Sequence, residues 1–222
     1  MIDPRLRTAV DASHAWYDAL CALHRVPVAL RDGLWWALGP PPPLHSAVKT
    51  IEPSVPVERI LQVVAPDGPT GVADSFADLD LTGHGFAVLF DARWIHRAPP
   101  HTGPVPPGWS MVTDPAGLAA WTARHDTTGV LLPGLLGLSS FAVMARKADA
   151  GISAGAVLQL GTGAVHVSNV WADGELDWAD LVRLAAHWAP GRALVGYESD
   201  GPLAAALAAG FADVGPQRVW VR

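Results

Sequence analysis

The sequence is poor in features that would assign it to a particular class of protein. Its 222 residues include a single cysteine, Cys21, which excludes an intramolecular disulfide framework and favours a reducing compartment. The opening residues, MIDPRLRTAV, lack the basic and then apolar layout of a signal peptide. Two long uncharged runs, 127–145 and 151–172, are broken by proline, glycine or polar residues, unlike a membrane helix. We therefore expect a cytoplasmic protein that does not enter a membrane.

Charge and motif content exclude further classes. A net charge of −6 and a pI of about 5.8 argue against a nucleic-acid partner. The sequence contains no nucleophile elbow, Walker loop or dinucleotide fingerprint. Cys21 and His24 share a predicted helix face without a second pair, and the other histidines, His84, His96 and His101, are irregularly spaced. We expect no metal site. Half of the residues are apolar, enough for a substantial core.

Hydrophobic periodicity predicts alternating helices and strands in the first half. A stripe at spacings of three and four predicts a helix over 8–25. Strands are predicted in 32–39 and 47–53, a helix over 55–65 and a strand over 85–97. The segment 98–108, with five prolines and two glycines, is typical of a linker between two halves.

The second half is the more regular. A strand and a capped helix are predicted over 109–125, followed by three strands, a helix, a strand, a helix and a closing strand: 139–148, 152–160, 164–172, a helix from Asp177, 193–198, 202–209 and 210–222. The order βββ-α-β-α-β predicts an α+β fold with a mixed sheet. Segments 85–97 and 210–222 also share a Gly-Phe-Ala start and two arginine positions, which suggests two related halves.

Two stretches carry a resemblance to a known superfamily: AGAVLQLGTGAVHVSNVWA (154–172) and LVGYESDGPLAAALAAGFADVGPQRVW (194–220). Their order and the Gly-Phe before the last strand resemble the GNAT acyltransferases. The resemblance implies a GNAT-like mixed β-sheet flanked by helices, with a C-terminal GNAT-like domain over 109–222. For 1–108 it is looser and implies a related or partial half, as in tandem-half members such as the glycine N-acyltransferases.

The same resemblance implies a cofactor and a site. In GNAT enzymes acetyl-CoA lies in a V-shaped opening between two splayed parallel strands, here 164–171 and 193–196. The main chain of Asn169, Val170 and Trp171 would pair with the pantetheine arm. Glu198 would act as the base on an amine, and Tyr197 would be the nearest phenol to serve as acid. His166 and Ser168, which alternate on one strand face, would contact the acceptor.

The sequence also departs from the GNAT pattern in two places. The turn that should hold the cofactor's pyrophosphate has Gly174 as its only glycine and carries four acids: Asp173, Glu175, Asp177 and Asp180. The spacing of the last two is that of N-cap and N3, which predicts that the helix caps itself. The usual tyrosine of the last helix is replaced by Ala206.

Three functions remain open at this point. The first is an N-acetyltransferase-like enzyme that moves an acyl group from acetyl-CoA to a small-molecule amine. The second is a catalytically inactive GNAT-fold module that binds a small ligand or a protein partner, with Trp171 or Trp178 filling the splay. The third is a homodimer that buries exposed Trp35 and Trp36 at its interface.

Overall fold

The computed structural model describes residues 2–64, 70–149 and 151–222. Within them are five α-helices and eleven strands. The helices are α1 (Pro4–Leu23), α2 (Val57–Val63), α3 (Pro115–Arg124), α4 (Trp178–Trp188) and α5 (Asp200–Ala208). The strands are β1 (Val28–Arg31), β2 (Leu34–Ala37), β3 (Val48–Thr50), β4 (Gly71–Asp74), β5 (Ala87–Arg97), β6 (Trp109–Met111), β7 (Phe141–Ala148), β8 (Gly151–Leu160), β9 (Ala164–Ala172), β10 (Ala193–Glu198) and β11 (Ala212–Val221).

All described strands join one sheet in the order β1-β2-β3-β4-β11-β5-β10-β9-β8-β7-β6. Two neighbouring pairs, β3 with β4 and β9 with β10, run parallel, and the other pairs are antiparallel. The predicted α+β class and mixed sheet are confirmed. Each parallel pair is connected through a helix, α2 in the first case and α4 in the second, as parallel pairing requires.

The first helix is longer at its start than predicted. Asp3 caps it by accepting from the Arg5 N–H at 2.8 Å, and Pro4 occupies the first position, where no N–H is needed. Its buried face carries Trp16 and Leu20 and packs across β5, β9 and β10. The helix therefore forms a roof over the middle of the sheet.

Two strands of the first half were not predicted. Strand β1 pairs with β2 through the two-residue turn Asp32-Gly33, whose φ values of 50° and 77° are both left-handed, as in a type I′ hairpin. The Asp-Gly pair was the available sequence signal, and the prediction placed it inside a strand instead. Strand β4 is short and mostly buried and follows residues 65–69, which lie outside the described ranges. The predicted helix over 55–65 is α2, and its predicted end, Ala65, also lies outside them.

The two halves of the chain interleave at the centre of the sheet. The last strand, β11, lies between β4 and β5, and β5 in turn pairs with β10. Arg93 pairs with Asp213 and Arg218 with Asp91 across the β5–β11 ladder, both at 2.7 Å. The segments that resemble each other in sequence are thus hydrogen-bonded neighbours. The boundary at 108 stays a prediction, but the sheet is continuous across it, and 98–108 is an irregular connection from the sheet centre to its edge.

Candidate active site at the strand branch point

The site begins where β9 and β10 part. They pair in parallel over only three positions, from Ala164 with Ala193 to His166 with Val195. At the next residue, Gly196, an added Cβ would lie 2.6 Å from the carbonyl oxygen of Val167. Real Cβ atoms do not approach backbone oxygen so closely, so the branch requires glycine. Beyond it, β10 follows β5 and β9 follows β8.

Strand β9 carries a bulge directly after the branch. Between its pairings of Ser168 with Val157 and of Trp171 with Gly155, β9 advances three residues while β8 advances two. Asn169 within the bulge has a φ of 50°, in the left-handed region that asparagine tolerates better than most residues. A bulge leaves its extra residue outside the ladder. The main chain predicted to pair with pantetheine is therefore irregular there.

A cavity of about 290 Å³ lies under α1 at this branch. It brings together six of the seven predicted site residues: His166, Ser168, Asn169, Val170, Tyr197 and Glu198. Its other walls come from α1 and from two loops, and sequence reasoning missed them: Ser13, Trp16, Tyr17, Leu44, His45, His125, Thr127 and Val130. No local motif marks these residues, because they meet only through the packing of α1 on the sheet.

A second cavity, of about 620 Å³, lies between the end of β9 and the starts of α4 and α5. It is on the other face of the sheet. His166 faces α1, with its ring 6.0 Å from that of Trp16, whereas its neighbours Val165 and Val167 pack with Trp178 of α4. The two cavities share Val170, the residue that lines both. Beyond the branch, β9 thus has one cavity on each face of the sheet, with Val170 as a wall of both.

The tryptophans proposed to fill the splay leave the second cavity open. Trp178 lies in the core against Phe211, with the rings edge-on at 5.5 Å. Trp171, the seventh predicted residue, lines only this second cavity and packs edge-on against Trp121 at 5.7 Å. Gly155 lies beneath the indoles of Trp121 and Trp171. A Cβ added to this glycine would be 2.3 Å from the Trp121 Nε1 and 2.5 Å from the Trp171 Nε1.

Burial tunes the two predicted catalytic groups. It raises the pKa of Glu198 to about 7, so that this carboxyl is poised between its acid and base forms at neutral pH. Part of the Tyr197 ring reaches solvent, yet desolvation is the main cause that raises the pKa of its phenol. Tyr197 is therefore protonated at neutral pH and can donate a hydrogen bond.

His166 and Ser13 are the most buried polar residues of the first cavity, each with 2% of its surface exposed. Burial, with a smaller contribution from Lys49, lowers the pKa of His166 to about 3, so its ring is neutral. Neither ring nitrogen has a hydrogen-bond partner among the described residues. Buried polar atoms of this kind are uncommon in proteins, and one explanation is a bound molecule or water that satisfies them.

The acidic turn before α4 is partly neutralised. Asp173 pairs with Arg124, and Asp180 pairs with Arg183. The Asp173 N–H donates to the Ser153 carbonyl at 2.8 Å. Along the described chain, the N–H groups of 174–178 donate to no backbone carbonyl. Part of the helix start therefore remains available to a ligand, although Glu175 faces the same cavity.

The prediction that α4 caps itself is confirmed for Asp177 and wrong for Asp180. Asp177 is the N-cap, and its side chain accepts from the Ala179 N–H at 2.8 Å. Asp180 does not reach back to the helix start, because its carboxylate accepts from the Trp109 indole at 3.1 Å and pairs with Arg183. The reason is tertiary, since Trp109 belongs to the distant edge strand β6.

The exposed-tryptophan prediction is wrong for Trp35. It is fully buried, with its indole donating to Asp18 at 2.8 Å and its ring edge-on to Tyr17 at 5.4 Å. Trp36 is partly buried against the core of the first half. A homodimer stays a prediction, but these residues no longer support it.

The fold of this chain is similar to that of several solved structures. The structure is similar to a GCN5-related N-acetyltransferase from Kribbella flavida, with a TM-score of 0.62 at 14% identity, covering 95% of this chain and 94% of the other. It is also similar to a GNAT-family protein from Novosphingobium aromaticivorans, with a TM-score of 0.60 at 12% identity over 98% and 95% of the two chains. The chain has the GNAT fold. A GCN5-related N-acetyltransferase-like protein from Streptococcus suis matches at a TM-score of 0.53 and 11% identity over 99% of each chain.

Sequence comparison adds nothing to the GNAT fold: no protein-family profile and no curated protein sequence matches. The finer resemblance to tandem-half glycine N-acyltransferases stays a prediction. Within the GNAT fold, Ala206 is fully buried in the core that α4 and α5 share with Phe211. Both tyrosines of the sequence line the smaller cavity, and Tyr197 is the one that follows the branch residue Gly196 on β10.

Two further features of the described residues bear on function. None of their helices has both the length and the hydropathy needed to cross a bilayer. Among the same residues, no three His, Cys, Asp or Glu side chains are grouped to hold a metal ion. His24 is instead engaged with the Val130 carbonyl at 2.8 Å.

Proposed function

We propose that the protein is an acyltransferase that moves an acyl group, acetyl in the simplest case, from coenzyme A to a small amine. One observation carries the proposal: two cavities lie on opposite faces of the sheet beside the end of β9 and share Val170 as a wall. A thioester in one cavity and an amine in the other would face each other at the branch. Positioning of two reactants in this way supplies a large part of the rate of acyl transfer.

The arm of the cofactor fits the larger cavity. Gly196 keeps the branch open, and the bulge at Asn169 puts irregular main chain beside it. Acyl-coenzyme A would supply a thioester, which a neutral amine can attack to release coenzyme A as the thiol. At the turn before α4, Arg124 and Arg183 are the cations that could hold the pyrophosphate. Each arginine now pairs with a carboxylate, and at least one side chain of each pair is exposed. Exposed ion pairs contribute little to stability, so each arginine can leave its carboxylate and bind a phosphate.

The residues at the branch can perform the proton transfers. Glu198 accepts a proton from the ammonium group of the acceptor, and its pKa of about 7 suits that role at neutral pH. Main-chain N–H groups at the bulge donate to the carbonyl oxygen as it gains negative charge. As the C–S bond breaks, Tyr197 donates its proton to the departing sulfur, and the second proton lost by the attacking nitrogen replaces it on the Tyr197 oxygen. Each of these is a role for a residue that lines the smaller cavity.

The alternative is a GNAT-fold module without catalytic activity that binds a small ligand or a protein partner. The acidic residues Asp173, Glu175 and Asp177 beside the α4 start and the alanine at 206 favour it. Each uncompensated carboxylate within about 8 Å of a phosphate would oppose binding by roughly 0.5–2 kcal/mol, depending on the dielectric.

Thermal unfolding with acetyl-CoA, and separately with coenzyme A, tests the proposal. At 100 times its dissociation constant a ligand adds about 2.7 kcal/mol, which raises the midpoint of a chain this size by roughly 5–10 °C. Acetyl transfer to amines should then lose about 10²–10⁴-fold in kcat/KM in Glu198→Gln, while Glu58→Gln on remote α2 leaves it unchanged. In the unaltered protein kcat/KM should rise with pH through about 7, as Glu198 becomes the base. If millimolar cofactor did not shift the unfolding midpoint, the acyltransferase proposal would fail and the alternative, a GNAT-fold module without catalytic activity, would remain.

A further inference from the structure

The walls of the smaller cavity carry an unusual balance of charge. Glu198 is the one acidic residue among its fifteen lining residues, and none of the fifteen is lysine or arginine. The nearest buried cation, Lys49, is 1% exposed and is not among them. Its ammonium nitrogen lies 5.2 Å from the ring centroids of both Tyr17 and Trp94, and its charge reaches the cavity only as a minor cause of the lowered pKa of His166.

The three histidines of the cavity do not supply a positive charge. His45 accepts from the Trp16 indole through Nε2 at 2.9 Å, so that nitrogen carries no proton and the ring is neutral. Its Nδ1 donates to the Pro43 carbonyl at 2.9 Å. Burial lowers the pKa of His125 and of His166 as well. At neutral pH the cavity therefore offers a carboxyl group and no cation.

The same cavity holds neutral polar atoms that lack partners. The Thr127 hydroxyl is buried, with 4% of the residue exposed, and both His166 ring nitrogens are buried too. None of the three atoms has a hydrogen-bond partner among the described residues. A buried polar atom left unpaired costs roughly 1–3 kcal/mol. A ligand with a hydroxyl or similar neutral group would recover that cost.

Shape and aromatic content limit the ligand further. A volume of about 290 Å³ is at the lower end of the ~300–1,000 Å³ typical of ligand sites. Trp16, Tyr17 and Tyr197 line it, and aromatic faces attract an ammonium group. A carboxylate would instead lose its hydration and meet Glu198 with no cation to pair with.

We infer that the acceptor is a small amine that carries a neutral hydrogen-bonding group such as a hydroxyl and has no carboxylate, so that free amino acids are rejected. In this assignment the ammonium lies against Glu198 and the aromatic rings, and the neutral group reaches the Thr127 hydroxyl. The inference rests on the proposed function in that it calls the amine an acceptor. Because it concerns the binding of amines, it can be tested without the cofactor.

The experiment uses pairs of amines that differ by the carboxylate alone: tyramine with tyrosine, and ethanolamine with serine. Binding to the full chain is measured by ligand-observed NMR titration at pH 7.5. At least one amine should bind ten times more tightly than its amino acid, and ethanolamine more tightly than ethylamine, which lacks the hydroxyl. Thr127→Val should remove the preference for ethanolamine over ethylamine. Glu198→Gln should reduce the preference for an amine over its amino acid several-fold. Glu58→Gln, on remote α2, should leave both unchanged.

Each contrary result has a distinct meaning. Equal or tighter binding of tyrosine or serine overturns the inference, even if acetyl-CoA binds and is turned over. No detectable binding of either amine while acetyl-CoA shifts the unfolding midpoint also overturns it, and leaves the acyl-CoA site intact. Binding of the amines without any effect of acetyl-CoA supports the inference as a property of the cavity and removes the proposed function instead.

Discussion

The two parallel strand pairs of this sheet have the same topology and opposite outcomes. Both join through a helix, and both part after two or three paired residues. The pair β9–β10 parts at Gly196, and the end of β9 beyond the branch lines a cavity on each face of the sheet. The pair β3–β4 is closed where it would part, because the Thr50 hydroxyl accepts from the Ser75 N–H at 2.9 Å.

Buried polar side chains fill the carboxyl ends of the closed pair. Asp74 has no exposed surface, and its carboxylate accepts from the Leu79 N–H at 3.0 Å and from Phe76 at 3.3 Å. The chain after β4 is thereby folded over the place that a ligand would need. A parallel pair therefore offers only the opportunity for a site, and the residues that follow each strand decide whether it is used.

The last paired residues of the two pairs also correspond. Lys49 ends the pairing of β3, and His166 ends that of β9, and both are buried beneath α1. Burial lowers the pKa of Lys49 to about 7, although Asp74 acts in the opposite direction. The closed pair β3–β4 thus ends in the buried ammonium of Lys49, whereas the open pair β9–β10 ends in the neutral imidazole of His166 beside a cavity.

The largest expected effect concerns that ammonium. Between pH 7 and 10.5 unfolded Lys49 binds a proton that the folded chain does not, so the free energy of unfolding should rise with pH by up to about 1.4 kcal/mol per unit. Lys49→Met should abolish this slope and stabilise the protein most at and below pH 7. Denaturant unfolding from pH 6 to 10 measures it. Burial raises the pKa of Cys21 to about 11, which opposes the rise at the alkaline end, so the difference between the two proteins is the quantity to compare.

The control for this prediction is the one other lysine, Lys147, which is exposed. Lys147→Met should change the unfolding free energy by less than about 0.5 kcal/mol at every pH. An unchanged slope in Lys49→Met would show that the ammonium reaches water in the folded protein. The closed pair would then be less sealed than its hydrogen bonds indicate.

The next effect concerns the branch. Gly196→Ala forces a Cβ to within 2.6 Å of the Val167 carbonyl oxygen, so β9 and β10 must shift. Overpacking of this kind costs about 1–3 kcal/mol. We also expect the stabilisation by acetyl-CoA to disappear. Gly137→Ala is the matched control, because its added Cβ meets no atom within 4 Å. A full acetyl-CoA shift in Gly196→Ala would mean that the cofactor does not use the branch.

The closed pair should lose about 1–2 kcal/mol of stability in Thr50→Val, because the buried Ser75 N–H loses its acceptor while the side-chain shape is kept. Acetyl-CoA binding should not change, since the open pair is independent of this contact. Thr82→Val, in which the lost hydrogen bond to Asp80 is exposed, is the control. Altered acetyl-CoA affinity in Thr50→Val alone would show that the two pairs are coupled.

The sequence was sufficient to predict the open half of this comparison and insufficient for the closed half. In the second half β8 and β9 are ten and nine residues long and are joined by a clear turn, Gly161-Thr162-Gly163. In the first half β3 lies within the strand predicted over 47–53, but β4 is only four residues long, too short for a periodic pattern, and was not predicted. The closing contact between Thr50 and Ser75 depends on two side chains that are unremarkable in sequence.

The site shows the same division. The residues on β9 and β10 could be predicted, because the strand order and a superfamily resemblance locate them. The walls from α1 and the loops could not, since Trp16 and His45 meet only through long-range packing, 29 residues apart in the chain. The bulge at Asn169 left one weak signal, an asparagine within a strand. The pairing of Asp180 with Trp109 left none.

The smallest expected effect tests how strongly the acidic turn distinguishes this open pair from an ordinary cofactor site. Glu175 lines the larger cavity and, unlike Asp173 and Asp180, is in no ion pair within the described ranges. Removing its charge in Glu175→Gln should tighten acetyl-CoA binding by up to about tenfold, which corresponds to roughly 1.4 kcal/mol of Coulomb repulsion. The gain should shrink as salt rises from 50 to 500 mM, because exposed charges are screened. Glu58→Gln should give no gain. Equal affinity of Glu175→Gln and the unaltered protein at low salt would place the pyrophosphate away from the α4 turn, and the open pair would then hold the cofactor by its arm alone.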